Sequence, residues 1–137
     1  MAKPSADLIR GIPLFSDLSE SDAEQLASDF VERKFAAGQA IATEGEGGLN
    51  FFVVDSGEAT VSVGGREVAK LTAGDPFGEI ALVDKSARSA TVTADTDMRV
   101  WGLPIWSFRP FVETRPVVLW KLLEILADRL RTAQARG

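Results

Sequence analysis

Glycine divides this chain into three zones. Ten of its 12 glycines fall between Gly38 and Gly102, and the flanks hold only Gly11 and Gly137. Glycine is costly inside helices and favoured in tight turns. The placement therefore predicts helical flanks around a middle of short strands. The middle agrees, because Phe51-Phe52-Val53-Val54, Ala59 to Val63, Val68 to Leu71, Thr91 to Ala94 and Met98 to Leu103 are short β-branched or alternating runs. Between them lie Gly45-Glu46-Gly47-Gly48, Asp55-Ser56-Gly57, Gly64-Gly65, Ala73-Gly74-Asp75 and Ala94-Asp95-Thr96-Asp97. Strands with turn signals at such intervals predict a small barrel or jelly roll. Gly64-Gly65 is a two-residue hairpin signal. The expected class is mainly β with flanking α.

The flanks read as helices. Ser5 is placed to cap a short segment through Arg10, which Ile12-Pro13-Leu14-Phe15 breaks. Ser21-x-x-Glu24 resembles a capping box that opens a helix to about Phe30. Pro104 tolerates a first helical turn, so Ile105 to Glu113 is expected as a short helix. Thr114 precedes Pro116, and a longer helix is expected to about Ala135. The 137 residues suit a single domain. Its expected parts are a helical N-terminus over 5–30, a β barrel over about 34–103 and C-terminal helices over 104–135.

Missing residue types exclude much chemistry. With no Cys and no His there is no Cys/His zinc site, disulfide, thiol couple or Ser-His catalytic unit. Metal-dependent barrel enzymes usually hold their metal with several histidines, so the chain is expected to be no enzyme and to carry no metal. Glu44, Glu46, Asp55 and Glu58 cluster in turns without EF-hand spacing and read as solvated acids. Fifteen Lys and Arg against 20 Asp and Glu give a formal charge of −5, which argues against a nucleic-acid partner. The longest apolar stretch, Val117 to Leu123, is interrupted by Lys121 and is too short to span a bilayer. Met1-Ala2-Lys3-Pro4 leads into polar residues rather than a signal-peptide core, so a cytoplasmic location is the default.

One stretch carries chemistry. Gly78-Glu79-Ile80-Ala81-Leu82 is compact and follows a turn. As a helical turn it would present unsatisfied N–H groups that favour an anion. Arg88 enters a strand of small and β-branched residues, where a guanidinium beside free amides suits one phosphate. Glu79, acceptor-only when ionised, suits vicinal sugar hydroxyls. Phosphate, sugar hydroxyl and an apolar wall together describe a nucleotide.

Phe77-Gly78-Glu79-Ile80-Ala81-Leu82, followed by Arg88-Ser89-Ala90-Thr91-Val92-Thr93-Ala94, resembles the phosphate-binding cassette of cyclic nucleotide-binding domains. The family includes the bacterial catabolite activator and the regulatory subunits of cyclic-AMP-dependent protein kinase. The nine-residue step from Glu79 to Arg88 is similar to the kinase-subunit version. Ile12 to Phe15, Gly38-x-x-Ile41, Gly45-Glu46, Phe52-Val53-Val54-x-x-Gly57 and Gly74-Asp75-x-Phe77 extend the likeness over roughly residues 8–130. The resemblance implies an eight-stranded jelly-roll β barrel (double-stranded β-helix) with N-terminal helices and C-terminal B and C helices. It also implies roles. Glu79 would accept from the ribose 2′-hydroxyl and Arg88 would pair with the cyclic phosphate. Amides near Gly78, Ile80 and Ala81 would line phosphate or sugar, with Ser89 and Ala90 beside the phosphate. Val61 and Leu71 would form the wall beside the base. Ser89 fits either base, and cyclic AMP is favoured over cyclic GMP.

Plainer readings stand beside these. Glu79 and Arg88 could be a structural ion pair in a scaffold or interaction domain whose pocket is vestigial. Trp101 and Trp106 are expected in the core, and Trp120 as a lid or interface residue. The last helix carries Leu119, Leu122, Leu123, Leu126 and Leu130 on one stripe, widened by Val118 and Ile125. That width suits core packing, a ligand cap, or a homodimer or effector contact through helix 117–135. Arg129, Arg131 and Arg136 read as solvated charges compatible with the helix dipole.

Overall fold

The computed structural model describes residues 2–45, 50–79 and 88–136. Helix α1 (Ala6–Arg10), a 3-10 turn (Pro13–Phe15) and α2 (Glu20–Ala27) precede the strands. These are β1 (Val31–Phe35), β2 (Ala40–Ala42), β3 (Asn50–Ser56), β4 (Ala59–Val63), β5 (Arg66–Leu71), β6 (Pro76–Phe77), β7 (Thr91–Ala94) and β8 (Met98–Pro104). Helices α3 (Ile105–Glu113) and α4 (Pro116–Arg136) follow. The chain is thus mainly β with flanking helices, as its glycine pattern predicts.

The strands form two four-stranded antiparallel sheets, ordered β1-β8-β3-β6 and β2-β7-β4-β5. No ladder joins the two sheets among the described residues, so of the expected eight-stranded barrel the structure carries this pair of sheets. Gly64 and Gly65, at φ +60° and +79°, turn β4 into β5. Positive φ at both central residues is what a type I′ hairpin turn requires.

Both faces of the first sheet are covered, and this gives two cores. Phe51 and Val53 of β3, with Trp101 and Leu103 of β8, join Ile9, Phe15, Leu26, Phe108 and Leu122 from the helical flanks and Phe30 from the link between α2 and β1. Phe52 and Val54, with Met98 and Val100, instead meet Ala59, Phe77 and Val92 between the sheets. Alternate residues of a strand face opposite sides. Two-sided burial is why Phe51-Phe52-Val53-Val54 reads as a continuous apolar run.

Local details match and depart from the sequence reading. Ser5 caps α1, its Oγ accepting from the Leu8 amide at 3.1 Å. The cap of α2 is Ser19 rather than Ser21, with Oγ accepting from the Asp22 amide at 3.1 Å, and α2 ends at Ala27 rather than Phe30. Starting two residues earlier adds Glu20 to Asp22 in the first turn, where both charges suit the dipole, while Ala23, Leu26 and Ala27 form the buried face. Strands β1, β2 and β6 lack the β-branched runs that mark the others. The sequence Val-Glu-Arg-Lys-Phe of β1 is ordered by its ladder to β8, from Val31↔Gly102 to Phe35↔Met98.

Candidate functional site

The site is built where β6 ends. Phe77 pairs with Phe52 of β3, and the two rings stack with centroids 5.1 Å apart. Gly78 then turns the chain at φ +84°. The left-handed conformation and the close packing both require glycine, since a Cβ there would lie 2.7 Å from Arg88 Nη1 and 3.3 Å from the Asn50 carbonyl oxygen. Arg88 threads past this gap. Its Nη2 donates to the Asn50 carbonyl at 3.0 Å, and its guanidinium lies over the Phe52 ring, 5.7 Å from the centroid. Burial pushes the Arg88 pKa down from its ordinary value, which marks a cation partly stripped of water.

Glu79 stands next to Gly78 and is the buried charged residue of the described chain. Its Oε1 accepts from Arg129 Nη2 on α4. Arg88 and Glu79, which the plainer reading would pair, do not pair with each other among the described ion pairs. Ser89 is exposed and Ala90 half-buried at the entry to β7. Val61 and Leu71 are partly buried against the cluster between the sheets. Ile80 and Ala81 lie outside the described residues, as does Glu46 of the acidic turns.

Arg129 is not simply solvated, because it pairs with the buried Glu79. Its helix phase carried the signal, since Val118, Leu122, Ile125 and Arg129 recur at steps of four, three and four along the buried face. Asp55 is not a solvated turn acid: its Oδ1 accepts from Trp101 Nε1 at 3.0 Å and its Oδ2 from Arg99 Nε at 2.9 Å. Those bonds satisfy the indole of Trp101, which is buried as expected. Trp106 is 64% exposed rather than core, because Ile105, Phe108 and Phe111 occupy the inward face of α3.

Glu79, Arg129, Pro13, Phe51, Pro76 and Ile125 are among the residues lining a cavity of about 270 Å³ on the helix side of the first sheet. Among the described residues no group of three Asp or Glu side chains is placed to hold a metal ion.

The family model of the cyclic nucleotide-binding domain matches residues 32–115. The chain belongs to that family. Its cyclic nucleotide-binding fold is shared with the catabolite activator protein of Thermus thermophilus, at a TM-score of 0.82 and 31% identity, covering 90% of this chain and 61% of that one. The regulatory domain of Toxoplasma gondii protein kinase A, crystallised with cyclic AMP, matches at a TM-score of 0.71 and 32% identity, over 77% of this chain and 42% of that one. A cyclic-AMP-dependent protein kinase regulatory subunit from Yarrowia lipolytica is 42% identical over 94 residues. That match takes in 67% of this chain and 25% of the subunit, so the chain spans about a quarter of this curated relative.

Proposed function

We propose that this cyclic nucleotide-binding domain is a single regulatory module that senses cyclic AMP. The observation that carries the reading is Arg88, half-buried, desolvated and held beside the glycine that opens the cassette. A guanidinium in that setting favours a compact anion, and an acidic chain favours a small phosphate ligand over a polymer. Arg88 pairs with the cyclic phosphate, with amides near Gly78, Ile80, Ala81, Ser89 and Ala90 completing the cradle. Glu79 takes the ribose hydroxyl, and Val61 and Leu71 wall the base. Cyclic GMP is the alternative ligand. No step moves a proton or breaks a bond, so the module is a binder rather than an enzyme, acting in the cytoplasm. The two sheets close around the ligand as a jelly-roll barrel.

Signalling follows from α4. Ligand binding draws the cassette inward and α4 repositions, by an amount set by the ligand's differential affinity for the two helix positions. The exposed side of α4, with Trp120, Leu123 and Leu130, is the contact for a second copy or an effector. The relatives that support this reading carry cyclic AMP or regulate a cyclic-AMP-dependent kinase by name.

Calorimetric titration with cyclic AMP and cyclic GMP tests it. Arg88→Ala should keep the fold and weaken binding by about one to three decades, the loss of a charged hydrogen bond and its buried phosphate partner. Unchanged affinity in that variant would remove Arg88 from the site. Ligand at 100 times its Kd should stabilise the wild type by about 2.7 kcal/mol. A flat melting profile would favour a scaffold with a vestigial pocket.

A further inference from the structure

The carboxylate assigned to the ribose already has a partner. The Glu79 side chain is only 8% exposed and bonds Arg129, 50 residues further along the chain and on α4. The pair lies in the cavity that Phe51 lines, on the helix side of the first sheet. Arg88 lies over Phe52, whose ring belongs to the cluster between the sheets. Consecutive strand residues face opposite sides, so Glu79 and Arg88 are here held toward opposite faces. Each has a separate tie, Glu79 to α4 and Arg88 to the Asn50 carbonyl.

From this geometry we infer that Arg129 is a specificity-determining residue that competes with the ligand's 2′-hydroxyl for Glu79. The inference rests on the cyclic-nucleotide reading of the site. A buried carboxylate without a partner is strongly disfavoured, so Glu79 keeps Arg129 until another donor replaces it. A ribose hydroxyl is such a donor; to accept it from a ligand on Arg88, Glu79 must turn from the helix side toward Arg88, and that turn frees α4 at Arg129. The exchange of one partner for the other supplies the differential affinity that a ligand needs in order to shift α4. A nucleotide lacking the 2′-hydroxyl engages Arg88 through its phosphate and leaves the Glu79–Arg129 pair intact. The half-exposed Arg129, at 52%, makes the competition modest in size.

The test is titration of wild type, Arg129→Gln and Arg129→Lys with cyclic AMP and its 2′-deoxy analogue, each variant first checked for an unchanged melting profile. Gln keeps much of the stem and removes the charge; Lys retains the charge. Arg129→Gln should tighten cyclic AMP by about three- to fivefold, the scale of a partly exposed ion pair. It should leave the 2′-deoxy analogue within twofold, and Arg129→Lys should return cyclic AMP affinity toward wild type. Wild-type binding with Arg129→Gln unchanged or weaker for cyclic AMP overturns the competition alone. Equal tightening of both nucleotides also overturns it, since the effect then does not pass through the 2′-hydroxyl. Absence of binding by wild type and both variants overturns the nucleotide reading, and the competition with it.

Discussion

Gly78 holds the narrowest passage in the site, with Arg88 Nη1 and the Asn50 carbonyl oxygen on its open side. Replacing it with alanine adds a methyl group into that passage at φ +84°, a conformation that costs a non-glycine residue about 1–3 kcal/mol. Gly78→Ala should therefore lower stability by about that amount and displace Arg88, weakening cyclic-nucleotide binding by at least tenfold. Thermal melts and calorimetry check the two effects separately; a stable variant with wild-type affinity would show that the passage is not needed. The cassette motif was legible in the sequence because its residue types and spacing are local. The Asn50 carbonyl was not legible, since any residue supplies a carbonyl and only the start of β3 places this one under Arg88.

Helix α4 is tied to the rest of the molecule along its length. Just before its first residue, Arg115 Nη2 donates to Gln25 Oε1 at 2.8 Å, and Nε lies 3.0 Å from Asp22 Oδ1, both on α2. The same guanidinium covers the Phe111 ring at 4.3 Å. Lys121 pairs with Asp17 at 3.3 Å, and Arg129 reaches Glu79. The α4 movement proposed above would therefore pivot at Arg115 or break these contacts. A double-mutant cycle of Arg115→Ala with Asp22→Ala should give a coupling of about 1 kcal/mol, as expected for a partly buried contact pair. Purely additive losses would show that the junction is held by packing instead. The helix itself was readable from Pro116 and its leucines. Its division was not: Val118 and Leu122 are buried while Leu119, Trp120, Leu123 and Leu130 face outward. One apolar stripe on a helical wheel does not say which part of it the sheet covers.

Over the whole molecule, that outward side is an apolar face left open on α4. Trp120 is 68% exposed, and Trp120, Leu123, Ala127 and Leu130 recur at steps of three, four and three. That spacing matches the seam of a coiled coil, and a second α4 is the occupant proposed for it. Sedimentation of the wild type should then show twice the chain mass, and Leu123→Glu should return it to a monomer with little change in melting temperature. A wild type that stays monomeric at high micromolar concentration would assign the stripe to a different partner. Among the described residues no helix is long and apolar enough to cross a membrane.

The sequence by itself determined the class of fold, the strands with β-branched runs, the Gly64-Gly65 hairpin and the family. Each depends on neighbours a few residues apart, through backbone preference, side-chain period or motif spacing. Tertiary structure decided which strands pair, why β1 is a strand at all, and that Glu79 meets Arg129 across 50 residues. It also decided that Trp101 is inside and Trp106 outside, and that Asp55 serves Trp101 and Arg99. Those outcomes are long-range. They depend on which faces the sheets and helices bury against one another, and a linear pattern records the existence of an apolar face without recording what will cover it.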